Sequence, residues 1–194
     1  MAAKLSANAL IELAKNRRSI YTLSKNLPIS TQRITEIVNQ TTLETPSSFN
    51  SQSNRVVVLY GAEHDKLWDI TADTLKAIRI SGFKAAAGTV LFYVDNAAVE
   101  AMQTKFAIYA DRFPPWAVQS AGIQQYLLWT ALEAEGLGAN LQHYNPLIDE
   151  KVAETWKIPS TWTLNAQLVF GAKTAEAAPK DYAPLEERVK VFGA

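Results

Sequence analysis

The sequence predicts an α/β or α+β sandwich in which helices pack around a single central sheet. Three observations carry that prediction. Strand-like apolar runs at residues 55–60, 88–94 and 163–170 are separated by stretches with helical periodicity. The 194 residues suit one domain spanning 1–194, with no internal repeat, low-complexity tract or interdomain linker. Hydrophobic residues make up 48% and charged residues 20%, the balance of a chain that buries one substantial core.

Ser6 is placed to cap an amphipathic helix that ends near Asn16, with Leu5, Ala9, Leu10 and Leu13 at its apolar positions. Ser6, Asn8 and Glu12 interrupt that run, so it is not the continuous apolar segment of a secretory signal, and the cytoplasm is the expected compartment. Pro28 and Ser30 open a second helix carrying Ile34, Ile37 and Val38 on one face. Residues 45–54 are rich in turn formers and too polar for a core strand. Residues 55–60 then read as a buried strand stopped by Gly61. Residues 62–76 are helical in pattern, with His64, between Glu63 and Asp65, expected on the solvated side. A second buried strand covers 88–94, and a helix is expected over 96–109. Pro114 and Pro115 start the longest helix, which runs to about Glu135 and is ended by Gly136 and Gly138. Its apolar surface (Ile123, Tyr126, Leu127, Ala131, Ala134) is wide enough to be covered on more than one side, so a second copy of the chain is an expected partner. A short strand at 139–141 follows, then Asn145–Pro146 reads as a capped helix start. The third long strand covers 163–170, and the tail from Lys173 mixes prolines, apolar and charged residues.

Lys plus Arg and Asp plus Glu are 19 each, so no broad field draws the chain to nucleic acid or to an anionic membrane. There is no cysteine, which excludes disulfides, thiolate catalysis and cysteine-held metals. The only histidines, His64 and His143, never reach metal-ligand spacing, and no Gly-x-Ser-x-Gly elbow accompanies them. No glycine-rich dinucleotide fingerprint or P-loop is present.

Three separated segments have the composition of a mononucleotide site. Arg17, Arg18 and Ser19 follow the first helix and offer a rigid guanidinium fork beside a short hydroxyl donor. Read alone, two arginines at a helix end are equally the usual complement to its dipole. The run Pro46, Ser47, Ser48, Phe49, Asn50, Ser51, Gln52 offers hydroxyl and amide groups to a polar ring edge, or forms a solvated loop. The run from Gly136 to Asn145 permits tight turns and leaves free amides near His143 and Tyr144, or is an ordinary corner.

In this order the segments resemble the nitroreductase family of FMN-dependent oxidoreductases over essentially the whole chain, and most closely a compact branch with a short region between the first two strands. Arg17-Arg18-Ser19-Ile20-Tyr21 is similar to the family's Arg-Arg-Ser-x-Arg phosphate motif, and the run from Thr45 to Asn54 to its Pro-Ser-x-x-Asn-x-Gln-Pro-Trp loop. The resemblance implies a central mixed sheet flanked by helices, in a homodimer held by the long apolar helix. It implies FMN as cofactor, with NAD(P)H giving hydride to flavin N5 and a nitroaromatic or quinone-type acceptor taking it in a ping-pong cycle. Arg17 and Ser19 would hold the phosphate, Arg18 the ribityl or flavin, and Lys180 would lie near the phosphate. Ser47, Ser48 and Asn50 would reach the flavin from the partner subunit with Pro46 in the same loop, and Gln52 would brace that loop. The amides of His143 and Tyr144 would face N5 and O4. Tyr21 and Tyr182 stand where many relatives carry a basic residue. Phe49, Tyr109, Phe113, Trp116 and His143 are candidate walls for the acceptor, or fillers of core and interface. No catalytic side chain and no metal is expected. A flavin-binding regulatory protein with little turnover is the alternative, and a cofactor-free interaction domain the third reading.

Overall fold

The computed structural model describes residues 6–75 and 80–193, so Leu5 and Lys76, which the sequence places in helices, lie outside the described residues. Helices α1 (Ala7–Asn16) and α2 (Thr31–Glu44) flank the short strand β1 (Leu23–Ser24). A 3-10 turn at Ser48–Asn50 leads to β2 (Asn54–Tyr60), α3 (Gly61–Leu75), the one-turn α4 (Ser81–Lys84) and β3 (Gly88–Asp95). Helices α5 (Asn96–Lys105) and α6 (Phe113–Ala134) precede β4 (Leu137–Gln142), α7 (Asp149–Trp156), β5 (Trp162–Lys173) and α8 (Leu185–Arg188).

The helix starts follow from capping chemistry. Ser6 Oγ accepts from the Ala9 amide at 3.2 Å and Ser30 Oγ from the Arg33 amide at 3.1 Å, each satisfying one donor that a helix leaves open. Ser30→Ala is therefore expected to lower unfolding stability by about 1 kcal/mol without altering the fold, measured by urea denaturation.

Strand β5 is the centre of the sheet, pairing with β3 over 162–170, with β4 over 167–172 and with β1 at its end; β2 lies outside β3. All of these pairings are antiparallel, and the parallel part of the expected mixed sheet is confined to one bridge, Ser19 to Ala139. Both faces of β3 are covered, so all eight of its residues are buried. Val90 and Phe92 point to a core with α2 and α6, and Leu91 and Tyr93 to a core with α3 and α7. Strand β2 is less buried than its run of valines suggests, because it is an outer strand.

One expectation is corrected here. The helix after β3 ends at Lys105 and gives way to a 3-10 segment, Ala107–Arg112, so Tyr109 is not on it. On α6, the ridge facing the core is Ala117, Ala121, Leu128 and Leu132, small at one end and branched at the other. Of the surface read from sequence, Ala131 packs against the core and Leu127 is half-buried, while Ile123 is 46% and Tyr126 47% exposed, with Val118 alongside. That leaves the chain with an apolar helix face open to a partner.

Candidate functional site

Gly138 decides where the arginine segment runs. A Cβ there would lie 2.9 Å from Leu23 Cδ2 and 3.1 Å from Ile20 Cβ, so only glycine lets the chain around Ile20 cross so close to β4. The Ile20 amide then donates to the Ala139 carbonyl at 2.9 Å, and Asn140 Nδ2 to the Ile20 carbonyl at 2.8 Å. These contacts fix Arg17, Arg18 and Ser19 just beyond the end of α1.

Arg17, Arg18, Ser19, Tyr21 and Lys180, together with Ala178 and Pro179, line one cavity of about 360 Å³. It carries three cationic side chains and no carboxylate. Arg17 is held from behind by α6, its guanidinium carbon 4.2 Å above the Trp129 ring centroid and 5.9 Å from that of Tyr126. Its Nε is buried with no hydrogen-bond partner. A buried guanidinium donor left unmade is costly. Arg18 Nη2 donates to the Ala178 carbonyl at 2.7 Å, which ties the tail into the wall.

The serine-rich loop is stiffened in an unusual backbone. Phe49, Asn50 and Gln52 have φ of 55°, 52° and 48°, and the Gln52 amide donates to Ser47 Oγ at 2.9 Å, bracing the loop through that position. Pro46, Ser47 and Ser48 line a different cavity, with Trp116 and Ile123 of α6. The chain therefore brings the first and second predicted segments to separate cavities.

Phe49 sits against Phe106 (centroids 4.8 Å), Phe113 (5.5 Å), Tyr109 (5.8 Å) and Trp116 (6.0 Å), so four aromatics picked from sequence form one cluster. Phe113 is 2% exposed and acts as core, while Phe49 and Tyr109 are open to solvent. Phe106 was not picked from sequence.

The third segment departs from expectation. Asn145–Pro146 starts a turn rather than a helix, and α7 begins at Asp149 with no side-chain cap. The cause is Gln167 on β5, fully buried, whose Oε1 accepts from the Tyr144 amide at 2.8 Å and whose Nε2 donates to Asn145 Oδ1 at 3.3 Å. The Tyr144 amide is thus already paired and is not free for a ligand, and the Asn145 side chain is not free to cap. The His143 amide has no such side-chain partner, and the His143 ring is exposed.

His64 is also corrected. It is fully buried rather than solvated, with Nδ1 2.9 Å from Thr89 Oγ1 and Nε2 2.9 Å from the Phe83 carbonyl. Burial, opposed only in part by the Phe83 carbonyl, lowers its pKa to about 4. Among the described residues no group of acids and histidines is arranged to hold a metal ion, and no helix is long and apolar enough to cross a membrane.

A layered α+β fold with a basic, acid-free cavity and a separate open aromatic cluster is that of a nitroreductase-type oxidoreductase. The chain belongs to the nitroreductase family, whose model matches residues 14–172. HBN1 of Saccharomyces cerevisiae, a provisionally named nitroreductase, is 41% identical over 186 residues, covering 91% of this chain and 93% of its own. The nitroreductase CinD from Lactococcus lactis, solved in complex with 4-nitrophenol, is 45% identical with a TM-score of 0.92, covering 95% of this chain and all of its own. A protein from Exiguobacterium sibiricum solved in complex with FMN shares the fold at a TM-score of 0.76 and 18% identity, covering 97% of this chain and 99% of its own.

Proposed function

We propose that this protein is a cytoplasmic, homodimeric FMN-dependent NAD(P)H oxidoreductase that reduces small nitroaromatic or quinone-type acceptors. The observation that carries the reading is the acid-free cavity of Arg17, Arg18, Ser19 and Lys180. Those residues fit the phosphate of FMN: Arg17 neutralises it, Ser19 donates to it, Lys180 closes the tail side, and Arg18 reaches the ribityl or flavin. FMN, when bound, supplies the ring that accepts hydride and passes it on. Around that ring the exposed phenol of Tyr21 and the His143 amide offer hydrogen bonds, while Ser47, Ser48 and Asn50 reach in from the partner subunit. A composite site of this kind explains why the serine loop and the arginine cavity are separate within one chain. The open face of α6 supplies the interface, for which a stable dimer buries roughly 2,000 Å² or more.

Phe49, Tyr109 and Trp116, with Phe106, form the wall against which a flat acceptor or nicotinamide ring lies. CinD in complex with 4-nitrophenol and with nicotinic acid supports ligands of that shape. No side chain here is assigned proton transfer, and solvent supplies the protons.

The test is direct. Purified protein incubated with FMN and desalted should remain yellow, elute as a dimer with light-scattering mass, and oxidise NADH or NADPH when 4-nitrophenol or a quinone is added. A preparation that stays colourless overturns the reading; tight FMN without NAD(P)H oxidation favours a flavin-binding regulator. Tyr109→Ala should raise the acceptor KM by about 2–10-fold through loss of ring stacking, with FMN affinity unchanged.

A further inference from the structure

The left-handed backbone at Phe49, Asn50 and Gln52 needs a holder. Asparagine tolerates that region, but phenylalanine and glutamine are strained there, and such backbone persists only where its surroundings fix it. One hold comes from inside the loop, where Ser47 Oγ accepts from the Gln52 amide. The other comes from Arg55, at the start of β2. Its Nη1 donates to the Gln52 carbonyl at 2.7 Å and to the Asn54 carbonyl at 2.9 Å, and its Nη2 donates to Asp95 Oδ2 at 2.8 Å.

Asp95, buried at the end of β3, is itself tied down. Its Oδ1 accepts from the Ala97 amide at 3.1 Å and caps α5, and its own amide donates to the Ser53 carbonyl at 2.8 Å. The guanidinium fork therefore joins the strained exit of the serine loop to the start of α5. At the other end of α5, Phe106 packs against Phe49, so the loop is clamped to this helix at two points. A half-exposed ion pair between neighbouring strands would by itself contribute little. Arg55 differs because two of its three bonds go to main-chain carbonyls at the loop's exit, and a lysine ammonium has no planar fork to span them.

Building on the flavin reading above, we propose that Arg55 is a positioning residue. Anchored by Asp95, it keeps the serine loop in the shape that presents Ser47, Ser48 and Asn50 to the flavin of the partner subunit and Phe49 to the acceptor. It acts through the loop and not on the flavin.

Arg55→Ala and Arg55→Lys test this in the full-length protein. Amide exchange is followed without flavin, and FMN affinity by fluorescence quenching. In Arg55→Ala, exchange at residues 48–52 should quicken about tenfold or more, while the paired amides of 56–60 and 88–94 keep the parent's rates. The Kd for FMN should rise about tenfold, and millimolar guanidinium chloride, against sodium chloride as control, should restore part of it. Arg55→Lys keeps the charge without the fork and should fall between parent and alanine variant. With FMN saturating, the KM for 4-nitrophenol should rise more than kcat falls, because Phe49 is displaced and the flavin ring is not. Exchange that quickens equally along β2 and β3 would make Arg55 a strand-pairing residue and overturns the proposal. So does loop exchange equal to the parent's, or affinity that neither lysine nor guanidinium restores. A parent protein that binds no FMN overturns the flavin reading itself. A parent that binds FMN, beside an Arg55→Ala variant that binds it equally well, overturns the role of Arg55 alone.

Discussion

Arg17→Ala should weaken FMN binding by about 1.5–3 kcal/mol, or roughly 10–150-fold in Kd, the range for a hydrogen bond to a charged group. The size of the effect follows from how Arg17 is held. Packing over Trp129 at 4.2 Å holds the guanidinium in place at the cavity. Little side-chain entropy then remains to be lost when a phosphate arrives. Arg17→Lys separates charge from geometry: the ammonium keeps the field but loses the fork, so affinity should fall between those of parent and alanine variant. Trp129→Leu should cost less, about 0.5–1 kcal/mol, because it loosens the arginine without removing it. Flavin fluorescence quenching gives the affinities, and circular dichroism checks that α1 is intact. Unchanged affinity in Arg17→Ala would move the phosphate away from this cavity.

The same residues show how far the sequence could be read. Arg17, Arg18 and Ser19 had the composition of an anion set but read equally as charges at a helix end, and only the family resemblance singled them out and added Lys180. The Trp129 beneath Arg17 was not legible, since helix α6 is distant in sequence and only packing joins them. Caps at Ser6 and Ser30 were legible because capping is local: the acceptor and its amide lie three residues apart. Asn145–Pro146 failed for the converse reason, as Gln167, 22 residues away on β5, claims the Asn145 side chain. For α6 the pattern located apolar residues without saying which side meets the core. The buried side takes Ala117 and Ala121 together with Phe113, Leu128 and Leu132, while Val118, Ile123 and Tyr126 are left outside. His64 was misplaced by weighing its neighbours Glu63 and Asp65 above its helical spacing. His64, Leu67, Trp68 and Thr71 fall at i, i+3, i+4 and i+7, the buried face of α3.

That histidine makes the last prediction, a loss of about 3 kcal/mol of stability between pH 6.5 and pH 4. Its hydrogen bonds fix one tautomer. Trp68 Nε1 donates to Thr89 Oγ1 at 3.0 Å, so the Thr89 hydroxyl proton is free to go to His64 Nδ1, and the proton on Nε2 goes to the Phe83 carbonyl. Every donor in this chain has an acceptor only while the ring is neutral; a proton on Nδ1 would face the hydroxyl's own. Burial adds to this, and the folded pKa of about 4 lies below the ordinary value of 6.5. The sign follows. Below pH 6.5 the unfolded chain takes up a proton that the folded chain refuses, so stability falls as pH drops and levels off once the folded state also protonates, near pH 4. Asp65 weakens the fold in acid as well, because Lys25 holds its carboxylate below the ordinary value of 3.8, but most of its loss comes under that pH, below the His64 interval. His64→Leu isolates the group: it should be less stable than the parent at pH 7, having left Thr89 and the Phe83 carbonyl unpaired, yet flatter between pH 6.5 and 4. Parallel urea-unfolding profiles for the two proteins across that interval would show that His64 is not the titrating group.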